Sequence, residues 1–130
     1  MRDKLGELIT RQSQGLQYEK SRQNDALVFT CHGAFSLVNH VPLDEITDEA
    51  RGTSVSRIVL VLQDVSHMDS IGIGTLAMIL KHVMNTGKDL VLVPNETVRN
   101  TLKAASLETA FIQVDSLGAA LGPLNRTTGA

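Results

Sequence analysis

The sequence predicts a small α/β sandwich, a mixed sheet with helices packed over it, and three observations carry that expectation. Two short runs, Leu16 to Arg22 and Ala26 to His32, flank the polar cluster Gln23-Asn24-Asp25, the signal of a β-hairpin. Five consecutive aliphatic residues, Ile58-Val59-Leu60-Val61-Leu62, stand near the middle of the chain. An uninterrupted run rich in β-branched residues reads as a central strand covered on both faces. Beyond it, segments with the apolar period of a helix alternate with short aliphatic runs, the pattern of layered α/β architecture.

Taken in order, residues 1–15 form an N-terminal extension. Leu5, Leu8 and Ile9 have helical spacing there, but Gly6 and Gly15 interrupt it, which predicts a weakly docked terminus. Gly33 is expected to end the second hairpin strand. Leu37 to Arg51 places Val38, Val41 and Ile46 among acids and predicts an amphipathic helix beginning near Pro42 or somewhat earlier, stopped by Gly52-Thr53-Ser54. A strand follows over Arg57 to Gln63, then a polar connection, Asp64 to Ser70. From Gly72 the apolar positions Ile73, Leu76, Ala77, Leu80 and Met84 predict a helix with one buried face, ended by Thr86-Gly87-Lys88. Leu90 to Val93 reads as a strand closed by Pro94. Asn95 is a good N-cap for a helix whose inward positions are Val98, Leu102 and Ala105. Phe111 to Val114 is expected as an edge strand, and Asp115 or Ser116 as the cap of a short helix through Leu121. The domain thus spans 16–121, with a flexible tail over 122–130.

Composition narrows the function classes. With 130 residues, 42% of them hydrophobic and 20% charged, the chain makes one globular domain that needs no metal or disulfide staple. Three Phe, one Tyr and no Trp leave an aliphatic core and no stacking platform for single-stranded nucleic acid. Twelve basic against fourteen acidic residues give a net charge of −2, and no Lys/Arg cluster forms a footprint for nucleic acid or an anionic membrane. The apolar runs fall far short of the roughly 20 residues that cross a bilayer, so no membrane insertion is expected. Met1 to Thr10 lacks the apolar core of a signal peptide, and the lone Cys31 cannot form an internal disulfide. A cytoplasmic protein is the plain reading.

Met68-Asp69-Ser70-Ile71-Gly72-Ile73-Gly74 is the most informative stretch. It lies between a buried strand and an amphipathic helix, where Ser70 is suited to be the N-cap. As structure alone, Ser70 caps the helix and the glycines permit close packing. As function, Ser70 is an exposed, modifiable hydroxyl. A phosphoryl group there adds about −1.5 to −2 charges at a helix end that tolerates anions. Gly72-Ile73-Gly74-Thr75-Leu76-Ala77 matches a dinucleotide pattern, with Glu96 downstream, but the glycines stand too far from the strand. Ser70, His67 and Asp69 are too close in sequence to orient one another as a hydrolytic triad, and G-x-S-x-G is absent. His32, His40, His67 and His82 show no metal-ligand spacing. Cys31, in a strand, reads as a small buried hydrophobe. The residues describe a binding module rather than an enzyme, with no cofactor or metal of its own.

Val61-Leu62-Gln63-Asp64-Val65-Ser66-His67-Met68-Asp69-Ser70-Ile71-Gly72-Ile73-Gly74, followed by Leu76, resembles the signature of STAS domains, the anti-sigma factor antagonists. The similarity runs from about Leu16 to Leu121, taking in Gly87-Lys88, Val98 to Leu107 and Phe111 to Leu121. The resemblance implies a four- to five-stranded mixed sheet with helices packed mainly on one side. It also implies a partner-switching role in transcription regulation. The unmodified protein binds an anti-sigma factor that is also a serine kinase, freeing a sigma factor. The kinase phosphorylates the serine matching Ser70, and a PP2C-type phosphatase resets the switch. Nucleotide and metal belong to those partners. The partner-binding surface carried over comprises Ser36, His67, Met68, Asp69, Ser70, Ile71, Gly72, Ile73 and Gly74. Ser36 stands where the family commonly has an acid, and Ile71 where it often has Ser or Thr. Those departures and the N-terminal extension support an alternative, a structural STAS subunit: a signalling-complex scaffold or an accessory subunit of a transport complex.

Overall fold

The computed structural model describes residues 16–35, 45–46, 48–50, 52 and 54–124. The N-terminal extension over 1–15, the helix start near Pro42, Ser36 and residues 125–130 of the tail expected over 122–130 lie outside the described residues. Five strands form one sheet: β1 (Gln17–Gln23), β2 (Ala26–Phe35), β3 (Arg57–Met68), β4 (Asp89–Pro94) and β5 (Ile112–Gln113). Their spatial order is their chain order, β1-β2-β3-β4-β5. The first pair is antiparallel and the other three pairs are parallel. The helices are α1 (helical residues 45, 46, 48–50 and 52), α2 (Ser70–Asn85), α3 (Glu96–Ala104) and α4 (Leu117–Leu121).

The topology explains the layering. Crossovers between parallel strands are right-handed, and a strand order that never reverses puts every crossover helix on the same face. Ile46 and Ala50 of α1, Leu76, Ile79 and Val83 of α2, and Val98 and Leu102 of α3 accordingly share one core with Leu27, Phe29, Ile58, Leu60, Leu62, Leu90 and Leu92. The alternate residues Ala26, Val28, Val59, Val61, Val91 and Val93 face the other way, where Ala120 of α4 packs on them with Leu117 and Leu121 beside it. The period of two in each strand thus sends bulky Leu, Ile and Phe under three helices, and smaller Ala and Val under one short helix.

Local chemistry sets the boundaries. The hairpin turns through Asn24-Asp25 between the paired Gln23 and Ala26, with Asn24 at φ 56, a left-handed conformation that Asn tolerates. α1 is tied to β1 by the Tyr18 hydroxyl donating to Glu45 at 2.9 Å and by the Lys20–Glu49 pair at 3.0 Å. Burial, then the Glu45 carboxylate, pushes the Tyr18 phenol up to about 12. Thr86 ends α2, its hydroxyl donating to the Val83 carbonyl at 2.8 Å. Asn95 caps α3 as the sequence predicts, and of the two candidates Asp115 and Ser116 it is Ser116 that caps α4.

Four expectations need correction. Gly33 does not end β2: at φ 97 it takes a conformation open to glycine, and the strand continues to Phe35. β3 does not end at Gln63 but runs to Met68. The buried face of α2 is rotated. Leu76 is in the core and Ile73 and Leu80 pack at its margin, but Ala77 and Met84 are exposed while Ile79 and Val83 are buried. α2 carries apolar residues nearly all round, so periodicity alone does not select one face. Ala105 is exposed as the C-cap of α3, and Leu107 packs against the core instead.

Candidate functional site

The site grows out of the irregular end of β3. Pairing with β4 stops at Leu62↔Pro94. Against β2 the register slips twice, from Thr30↔Val61 to His32↔Asp64 and from Gly33↔Val65 to Ala34↔His67. Each slip inserts one residue into β3, a β-bulge. The inward positions therefore step by three, through Leu62, Val65 and Met68, all in the main core. Met68, 5% exposed, anchors the strand end, and the chain turns at Asp69 into α2.

Asp69, not Ser70, is the N-cap. Its Oδ1 accepts the Ile71 and Gly72 amides, both at 3.0 Å, and its carbonyl accepts the Ile73 amide at 3.0 Å. A carboxylate gains from the positive helix end as well as from the two hydrogen bonds, which favours Asp over the hydroxyl that follows it. Ser70 becomes the first residue of the helix. Its side chain is exposed and makes no hydrogen bond among the described residues.

The remaining sequence-derived positions divide by orientation. His67 is exposed, Asp69 half-buried, and Ile71 42% exposed. Gly74 faces solvent with open space where a Cβ would stand. Met68 and Gly72 are buried and Ile73 packs at the core margin, so these three support the surface from beneath. Ser36 lies outside the described residues. The glycines fall inside α2, and Gly72 donates its amide to Asp69, so no strand-to-helix phosphate loop is built here. The Asp69 carboxylate accepts the amides of its own helix start, and among the described residues no hydrogen bond joins Ser70 to His67 or Asp69. Among the described residues no group of three side chains could hold a metal ion, and no helix is long and apolar enough to cross a membrane.

Three features escape the sequence reading. Met78 and Met84 are 50% and 64% exposed and, like Ile71, are large apolar side chains left outside the core of α2. His32 lies 3.2 Å from Asp64 and 3.7 Å from Glu19, an exposed pairing of small energetic weight. Asn95 donates its side-chain amide to the carbonyls of Gln63 and Val65 at 3.1 and 2.8 Å. Only its capping role carries a sequence signal.

Comparison with known proteins agrees with the fold. The family model described as the STAS domain matches residues 17–120. A Thermotoga neapolitana protein named as an anti-sigma factor antagonist homolog is 35% identical over 77 residues, covering 58% of this chain and 68% of its own. The crystal structure of an anti-sigma factor antagonist from Mycobacterium paratuberculosis superposes with a TM-score of 0.71 at 20% identity, over 83% of this chain and 92% of that one. The anti-sigma factor antagonist SpoIIAA in its unphosphorylated form gives a TM-score of 0.66 at 18% identity, over 88% and 98% of the two chains. Those two structures share the fold.

Proposed function

This chain belongs to the STAS domain family, and from that premise we propose that it is a cytoplasmic anti-sigma factor antagonist of a partner-switching pathway. Unmodified, it binds an anti-sigma factor that is also a serine kinase. ATP-dependent phosphorylation of Ser70 ends the binding, and a PP2C-type phosphatase restores it. His67, Asp69, Ser70, Ile71 and Gly74 form the surface the partner covers, with Met68, Gly72 and Ile73 holding it from below; Ser36 completes it in this proposal.

The observation that carries the reading is the exposed Ser70 hydroxyl one residue after the cap, without a hydrogen bond among the described residues. A kinase can reach it, and no fold-stabilising contact is lost on modification. Because Asp69 already occupies the first amides of α2, the phosphate is not drawn into the helix end and projects outward beside a carboxylate. Burying such a charge at an interface costs several kcal/mol. At about 1.4 kcal/mol per tenfold, a cost of about 3–4 kcal/mol weakens binding several hundredfold.

The test is incubation with the partner kinase and ATP, followed by mass spectrometry. Phosphate on Ser70, with Ser70→Ala remaining bound and unmodified, supports the proposal. Absence of phosphate from Ser70 overturns it. A second reading, a structural STAS subunit of a scaffold or transport complex, is favoured by the three exposed apolar side chains of α2, Ile71, Met78 and Met84. Light scattering separates the two: a small free protein for a switch, a large assembly for a scaffold.

A further inference from the structure

We propose that Asn95 is a positioning residue for the Ser70 site, fixing through its side-chain amide the bulged end of β3 from which that serine is presented. This rests on the reading of Ser70 as the switch position.

β4 ceases to pair with β3 at Pro94, and beyond that point no strand among the described residues neighbours β3 on this edge. Carbonyls two residues apart on a strand leave the same edge, so those of Gln63 and Val65 both point toward where β4 would have continued. Asn95 Nδ2 donates to both, at 3.1 and 2.8 Å. Its Oδ1 accepts the Val98 amide at 2.8 Å. That contact also fixes which way the carboxamide is turned, since the reverse would set NH₂ against an N–H and oxygen against two carbonyls.

One side chain therefore stands in for the missing strand and caps α3 at the same time. On its other edge, β3 has both of its register slips against β2 within residues 61–67. The ladder is thus interrupted on both edges over the same few residues, immediately before Asp69 and Ser70. The Asn95 bridge spans the stretch between the two bulges and ties it to the rigid start of α3.

Capping alone does not require asparagine, because Asp and Ser cap about as well. The double donor does. Asn95→Asp keeps the Val98 acceptor and turns a carboxylate oxygen toward the Gln63 and Val65 carbonyls. Asn95→Ser keeps a capping oxygen and removes the reach. Amide hydrogen exchange by NMR on the full chain reads both roles in one spectrum.

The expected result in both variants is exchange faster by about tenfold or more at Asp64 to Met68 and at the capped amides of Ile71, Gly72 and Ile73. Val98, Arg99 and the paired amides of Ile58 to Leu60 should stay within about twofold of wild type. Wild-type rates at 64–73, uniform acceleration across the sheet, or failure of both variants to fold each overturn the role. No partner is needed. A local change without Ser70 phosphorylation would refute the switch reading and leave Asn95 its role; the converse would refute only the role of Asn95.

Discussion

The carboxylate of Asp69 accepts the Gly72 amide at 3.0 Å, and Ser70, lying between those two residues, keeps its hydroxyl out of the helix cap. One residue holds the start of α2, and the next is the exposed position that the proposed switch would use.

Asp69→Ala should therefore destabilise the protein by about 1 kcal/mol, the usual cost of losing an N-cap. Ser70→Ala should cost less than about 0.5 kcal/mol, as an exposed position without contacts does. Urea unfolding of the two variants checks the contrast. Equal losses, or a larger loss at Ser70, would contradict the cap assignment.

Gly74 offers a second contrast. It lies exposed on α2 with nothing within 4 Å of the place a Cβ would occupy. Gly74→Ala should raise stability by up to about 1 kcal/mol through helix propensity, measured as a higher urea midpoint. If the partner covers this face, the added methyl group should also weaken partner binding measured by calorimetry. A stability gain with unchanged affinity would place Gly74 outside the contact.

Arg57 secures the thinly covered face of the sheet. Its guanidinium donates to the Ala120 carbonyl at 2.8 Å and to the Gly122 carbonyl at 2.7 Å, satisfying the end of α4. Hydrogen bonds from a charged donor are worth about 1.5–3 kcal/mol, so Arg57→Ala should cost about 2 kcal/mol. In that variant the Ala119 and Ala120 amides should exchange faster than in the wild type, while those of α2 keep their wild-type rates. Unchanged exchange in α4 would show that Arg57 does not hold it.

Cys31 gives the protein an alkaline signature. Burial pushes its thiol from 9.0 up to about 12. Below pH 9 both folded and unfolded chains hold the proton, and the thiol adds no pH dependence. Above it the unfolded chain releases the proton first, so stability falls as pH rises toward 12. The urea midpoint of the wild type should therefore drop more steeply between pH 9 and 11 than that of Cys31→Ala. Parallel curves would contradict the burial. The native thiol should also resist a disulfide reagent at pH 8.

Much of this was legible from residue order. The hairpin, the central run Ile58 to Leu62, the caps Asn95 and Ser116, and the stop at Thr86 follow from local chemistry. What the sequence hid had physical causes. β3 looked finished at Gln63 because its bulges change the inward step from two residues to three, so Val65 and Met68 no longer alternate with Leu62. The face of α2 is rotated from the expected one because apolar residues lie nearly all round the helix, with Ala77 and Met84 outward and Ile79 and Val83 inward. Ser70 lies at the helix start that the sequence predicts, but the capping role falls to its neighbour Asp69, since both Asp and Ser are good caps. The bridge from Asn95 to Gln63 and Val65 spans more than 29 positions and leaves no local trace.

The most direct measurement compares the affinity of the unmodified protein and its Ser70-phosphorylated form for the same anti-sigma factor by calorimetry, with thermal unfolding of both forms alongside. Binding several hundredfold weaker at an unchanged melting temperature is the expected result. Equal affinity, or weaker binding accompanied by loss of the fold, would contradict a switch that acts outward from Ser70.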